Sequence, residues 1–387
     1  MRLAKRMSRL GTETAFEVLA RARELEAQGR EIIHLEIGEP DFDTAPHIVQ
    51  AAIVALRKGY THYTPSDGIP ELRAVVAQEV ARTRRITVDP QQVVITPGAK
   101  PIMFFSLLAL CQEGDEVIYP NPGFPIYESM INFVGASPVP LPLREENEFC
   151  IDREEFPSLV TPRTRLIILI SPENPTGSVL CQEDLEVIAR CAIEADAMIL
   201  SDEIYSRILY DGEHHSIASL PGVAGRTIIL DGFSKTYAMT GWRMGYGVMP
   251  AELATQMAKL MVNSNSCTAA FTQWAGIEAL TGPQDAVEEM VAAFRKRRDV
   301  IVEGLNDIPG FRCRPPRGAF YAFPSIEGTG LSSAEMEDYL LEEAGVGTLS
   351  GTSFGAYGEG FLRLSYANSV ENIEKALERI QKAIADL

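Results

Sequence analysis

Two kinds of apolar spacing alternate along the chain. Phe16, Leu19, Ala20 and Leu25 recur at helical intervals with charges between them, and Gly29 ends the pattern; this predicts an amphipathic helix. A short apolar run at 32–37 leads into Gly38-Glu39-Pro40-Asp41, and a second helical pattern covers about 47–58. From there short apolar runs alternate with helical stretches. The runs lie at 93–96, 116–119, 137–141, 166–170, 197–200, 227–230 and 246–249. Several are apolar throughout, as strands buried on both faces are. Strand alternating with helix predicts an α/β domain with a mainly parallel seven-stranded sheet, whose ligand sits beyond the carboxyl ends of the strands. The last hundred residues differ. A charged helical stretch at about 285–305 is followed by Phe311 and by apolar runs at 320–323 and 362–365. This predicts a smaller α+β domain joined by the N-terminal segment: a large domain over 48–285, and a small one from 1–47 and 286–387.

Composition narrows the picture. The 387 residues are long enough for two domains at roughly 100–200 residues each. With 46% hydrophobic and 23% charged residues, the values are those of a folded globular protein. No apolar run reaches the ~20 residues of a membrane helix, and the basic start at 1–9 lacks an apolar secretory core, so a cytoplasmic enzyme is expected. A net charge of −18 argues against nucleic acid or an anionic membrane as partner. Cys111, Cys150, Cys181, Cys191, Cys267 and Cys313 are scattered and read as reduced thiols. Neither they nor His34, His47, His62, His214 and His215 show metal-ligand spacing, and His214-His215 is expected in a solvated loop.

Candidate chemistry sits directly after the middle runs. The run 227–230 leads into Asp231-Gly232-Phe233-Ser234-Lys235-Thr236-Tyr237-Ala238-Met239-Thr240-Gly241-Trp242-Arg243-Met244-Gly245. A lysine soon after a strand end faces the cleft, where lost hydration and nearby cations lower its pKa and make it nucleophilic. Gly232 and Ser234 leave room for a ligand, and Arg243 suits a phosphate. A lone lysine is far more often a surface residue; the flanking pattern is what distinguishes Lys235. The run 197–200 ends in Ser201-Asp202-Glu203-Ile204-Tyr205, which brings a carboxylate to a strand's carboxyl end. The run 166–170 ends in Ser171-Pro172-Glu173-Asn174-Pro175-Thr176-Gly177, equally consistent with turn chemistry. Pro97-Gly98-Ala99-Lys100 opens an apolar helical stretch at 102–110, offering unpaired N–H groups and a positive dipole end to a phosphate. Phe124 stands among prolines in Pro120-Asn121-Pro122-Gly123-Phe124-Pro125-Ile126-Tyr127. Arg363, in Phe361-Leu362-Arg363-Leu364-Ser365-Tyr366-Ala367, lies between apolar neighbours, where it is costly unless paired. A bidentate carboxylate is its natural partner; an internal salt bridge is the alternative.

The segment 232–245 resembles the lysine-attachment signature of class I aminotransferases, fold-type I pyridoxal-phosphate enzymes of the aspartate and aromatic aminotransferase kind. Each constrained position holds an allowed residue, and the resemblance runs along nearly the whole chain. It implies pyridoxal 5′-phosphate as cofactor, bound to Lys235 as a Schiff base. It also implies that Asp202 pairs with the ring nitrogen, and that Asn174 and Tyr205 hydrogen-bond the ring oxygen. Gly98, Ala99 and Lys100 would supply donors to the phosphate, with Ser234 and Arg243 completing the cup. Phe124 would stack on the ring; some members have tryptophan or tyrosine there, and stacking needs only the π face. Ser171-Pro172 stands where members often have Asn-Pro. Tyr63 resembles a tyrosine that reaches the phosphate of a neighbouring subunit, and the stretch 263–266 one near that phosphate; both imply a homodimer with shared sites. Arg363, with Asn174, would hold the substrate's α-carboxylate, against the backbone of Gly38.

The implied reaction is ping-pong transamination between an L-amino acid and a 2-oxo acid, with Lys235 as the proton shuttle. A carbon–sulfur β-lyase acting on cysteine conjugates would share these residues. So would a regulatory protein that binds the cofactor without catalysis, although 1–29 is short for a DNA-binding domain. A plain α/β binding protein is a third alternative. Substrate identity is open. A second cation for a distal carboxylate is not assigned; arginines such as Arg2, Arg6 and Arg9 are candidates by location only. The segment 11–16, Ile37, Phe104 and Phe105 are expected to line the side-chain pocket, which suits an aromatic or apolar substrate.

Overall fold

In the computed structural model, which describes residues 3–387, the seven middle runs become one sheet. Its strands are β1 (Val93–Thr96), β2 (Glu116–Asn121), β3 (Ser137–Pro142), β4 (Thr164–Ile170), β5 (Met198–Asp202), β6 (Thr227–Gly232) and β7 (Gly245–Val248). The spatial order is β1-β7-β6-β5-β4-β2-β3. Neighbours from β6 across to β3 pair parallel. Only β7 runs the other way, antiparallel to both β1 and β6.

The continuous apolar character of the central strands follows from burial on both faces. Adjacent residues point to opposite sides of a strand. Val117, Ile168 and Leu200 pack with Ile102 and Met103 of the helix Lys100–Leu110 and Met257 of the helix Ala251–Ser264. Their neighbours Ile118, Ile167 and Ile199 pack on the other side with Leu185 and Ile188 of the helix Gln182–Glu194. Val18, Ala22 and Leu25 of the helix Ala15–Ala27 join this second cluster.

The topology decides where chemistry converges. β2, β4, β5 and β6 end at one edge of the sheet. β1 points the same way, because two antiparallel pairings separate it from β6. The reversal of β7 brings its start, just after Arg243, to that edge as well.

Beyond the large sheet, Leu349–Ser350, Leu362–Ser365 and Tyr321–Ala322 form an antiparallel sheet. It packs with Phe294, Ile301 and Leu305 of the helix Asp285–Asn306 and with Ile373 and Ile380 of the helix Val370–Ala385. The run at 32–37 yields only the short strand Ile33–His34, which pairs parallel with Val346–Gly347 and ties the N-terminal segment to this part of the chain. His214 departs from expectation. His215 is exposed, but His214 turns inward, its Nε2 3.1 Å from Glu203 Oε2. Glu203 also accepts from Arg84 at 2.8 Å, and Arg84 reaches Asp231 at 2.6 Å. These buried charges cross-link the ends of β5 and β6.

Candidate active site

The strand ends and the loops after them enclose a cavity of about 380 Å³. Gly38, Ala99, Lys100, Phe124, Asn174, Asp202, Tyr205, Ser234, Lys235, Arg243 and Arg363 all line it. Gly98 lies just behind: its φ is +84°, and an added Cβ would stand 2.4 Å from Arg243 Nη2, so only glycine lets that guanidinium come against the loop. Arg243 also donates to the Thr240 carbonyl at 2.7 Å. The helix Lys100–Leu110 starts directly after this turn.

Lys235 sits three residues past β6. Its Nζ donates to the Gly38 carbonyl at 2.5 Å and lies 5.8–5.9 Å from the ring centres of Phe320 and Tyr205. Burial lowers its pKa to about 8; Arg363 and Lys100 push the same way, while Glu39 and Glu13 oppose. An amine tuned towards neutrality is a better nucleophile and base than an ordinary lysine.

Asp202, the last residue of β5, is 8% exposed. It accepts from Tyr127 Oη at 2.7 Å and from the Ile204 N–H at 3.2 Å. Among the described residues it has no ion-pair partner, and burial raises its carboxyl pKa to about 7 against those two hydrogen bonds. Tyr205 shares a 2.7 Å hydrogen bond with Tyr321, and burial first, then Tyr321, pushes its phenol well above the ordinary value.

Arg363 is 4% exposed. Its guanidinium lies 4.6 Å from the Tyr321 ring centre and 5.0 Å from that of Phe354. One Nη donates to Asn174 Oδ1 at 3.2 Å and the other to the Glu36 carbonyl, while buried Nε has no hydrogen-bond partner. No carboxylate of the described residues pairs with it, so the internal salt bridge is absent.

The structure leaves some expected residues out of the cavity. Tyr63 is 88% exposed, outside the lining of this chain's site, and the stretch 263–266 ends a surface helix. Of the pocket candidates, Ile37, Ala15, Phe16 and Glu13 line the cavity. Phe104 and Phe105 do not; they sit in the core, and Met103 takes the lining position. Arg6 is exposed and Arg9 donates to the Phe133 carbonyl at 3.2 Å, away from the cavity; Arg2 falls outside the described residues. Sequence reasoning gave no role to Tyr127, Tyr321, Thr240 or the Glu13 carboxylate. Tyr127 stood three residues after Phe124, and a tyrosine one helical turn on is the signal that could have found it.

Comparison with known proteins finds similarity to aminotransferases. The family model described as aminotransferase class I and II matches residues 30–380. An aromatic-amino-acid aminotransferase of Thermococcus litoralis is 44% identical over 93% of this chain and 94% of its own length. An aspartate aminotransferase of Pyrococcus abyssi is 42% identical over 92% of each chain. Among solved structures, an aspartate aminotransferase from Thermus thermophilus with maleate superposes with a TM-score of 0.95 at 39% identity, covering 99% of this chain and 100% of that one.

Proposed function

This chain belongs to the class I and II aminotransferases, and we propose that Lys235, Asp202, Asn174, Tyr205 and Arg363 carry the family's reaction in it. It is a pyridoxal-phosphate-dependent enzyme that moves an amino group between an L-amino acid and a 2-oxo acid by a ping-pong exchange. When bound, the cofactor supplies an electron sink that acidifies the substrate's Cα–H bond.

One observation carries the residue assignments. Asp202 and Arg363 are both buried charges without an ionic partner among the described residues. Isolated buried charges are costly, and a ligand with a cationic ring nitrogen at one end and a carboxylate at the other would satisfy both. The donor set therefore fits the cofactor and an amino acid together. Asp202, braced by Tyr127, would keep the ring nitrogen protonated. Asn174 and Tyr205 would hold the ring oxygen, Phe124 would stack on the ring, and Ser234, Arg243 and the backbone at Gly98, Ala99 and Lys100 would hold the phosphate. Arg363 grips the α-carboxylate with its free donors, and Gly38 closes against it. Lys235 would hold the cofactor, and its Nζ, lining the same cavity, is placed to take a proton from the substrate's Cα and to return it as general acid.

The same reading makes Tyr63 a residue offered to the phosphate of a second copy in a homodimer, and assigns the large domain to 48–285 and the small one to 1–47 with 286–387. No helix of the described residues is long and apolar enough to cross a membrane, in keeping with a cytoplasmic enzyme. Replacing Lys235 by Ala is expected to abolish both transamination and the covalent-cofactor absorbance. Wild-type-like turnover by that variant would remove Lys235 from the mechanism.

A further inference from the structure

We propose that Glu13 and Lys100 form a charge-compensated gate in this cavity, favouring amino donors with uncharged side chains and admitting an acidic side chain only when it displaces Glu13 from Lys100. This rests on the aminotransferase reading above.

Both side chains line the same cavity, and Lys100 Nζ is paired with the Glu13 carboxylate. Lys100 also holds its ammonium 5.4 Å from the centre of the Phe124 ring. Its position at the start of a helix leaves its backbone to the phosphate loop while the side chain turns towards Glu13. The Glu13 side chain is 19% exposed although it comes from an otherwise open N-terminal segment. It shares the cavity lining with Lys235, Tyr321 and Arg363, and its charge acts on all three.

The other cations of the cavity have assigned work. Arg363 meets the α-carboxylate, Arg243 the phosphate, and Lys235 the cofactor. Among the described residues Lys100 is thus the remaining lining cation for a distal carboxylate, and Glu13 already pairs with it. Ala15, Phe16, Ile37 and Met103 complete an apolar wall beside the pair. An apolar or aromatic side chain can lie on that wall with the ion pair intact. A distal carboxylate must face Glu13 at close range, or take Lys100 from it. The Lys100 side chain is 51% exposed, and partly exposed pairs are weak, so an acidic substrate is disfavoured and not excluded.

The test uses the holoenzyme. kcat/KM is measured for aspartate and glutamate and for leucine and phenylalanine, in wild type and in Glu13→Gln. The wild type is expected to favour the uncharged donors. Glu13→Gln is expected to raise the acidic-to-uncharged ratio about tenfold or more, mainly through KM. It is also expected to tighten binding of maleate, an unreactive dicarboxylate, by about tenfold in calorimetry. Adding Lys100→Met to Glu13→Gln is expected to reverse both gains. A ratio and a maleate affinity that stay put or fall in Glu13→Gln would overturn the gate. If no donor of either class transfers its amino group in the wild type, the aminotransferase reading itself fails, which is a separate result.

Discussion

Arg363 shows how much a single residue can say. A guanidinium between two aromatic rings, with no carboxylate beside it among the described residues and one buried N–H without a partner, has the donors an anion would use. Its strand context already made a carboxylate partner the natural expectation, and the structure removes the competing internal salt bridge. Lys235 carries the sharper prediction. Its pKa is lowered to about 8 from the ordinary 10.5, so the neutral, nucleophilic amine becomes the major form above that pH. The rate at which the apoprotein captures pyridoxal phosphate should therefore climb through about pH 8 and level off above it. Stopped-flow absorbance would follow this; a rate still climbing steeply at pH 10 would mean an unperturbed lysine.

At the scale of elements, convergence at one sheet edge does most to make the site. Parallel strands deliver Asn174, Asp202 and Lys235 from successive carboxyl ends, and the reversed β7 delivers Arg243 from its amino end. The buried Arg84, Glu203, Asp231 and His214 cluster holds the ends of β5 and β6 in register beneath it. A second tie lies within the N-terminal segment, between its first long helix and the short strand at Ile33–His34. His34 Nδ1 lies 2.6 Å from Glu36 and Nε2 lies 3.2 Å from Glu26 of the first helix. The hydrogen bond to Glu36 raises the imidazole pKa to about 9 from 6.5, against the effect of burial. A raised folded pKa means protonation favours the folded state. The contribution is complete below about pH 6.5 and is lost as pH climbs through 9. The gap in melting temperature between wild type and His34→Gln should accordingly shrink from pH 6 to pH 9.5. A gap that grows over that range would contradict the linkage.

For the whole molecule, assembly is the scale at which one chain leaves residues unused. Tyr63 is 88% exposed, an unusual place for a large aromatic. On the homodimer reading the protein should sediment at twice its chain mass, and Tyr63→Ala should weaken cofactor retention about tenfold, as loss of a hydrogen bond to a charged group does. A fully active monomer would exclude shared sites. Much of the single chain was legible beforehand because its signals are local. The seven strands and the helix at 285–306 follow from side-chain periodicity, and the place of the Lys235 segment directly after its strand from residues adjacent in sequence. Short elements were harder. The run at 32–37 gave only two paired residues, because its partner, Val346–Gly347, lies three hundred residues away and supplies just two positions. Tyr321 has no local mark of a site residue, since a phenol aimed into a cavity has the same local pattern as one packed inside.

By itself, then, the sequence determined the strand and helix periods, the parallel sheet and the residues that follow each strand, all properties set within a few neighbours along the chain. Only the tertiary structure decided which charges lack partners, that β7 reverses to bring Arg243 to the site, and that Glu13 meets Lys100 in the cavity. Those are facts of distance and burial between segments far apart in sequence, and electrostatic pairing depends on where side chains end in space, not on their order in the chain.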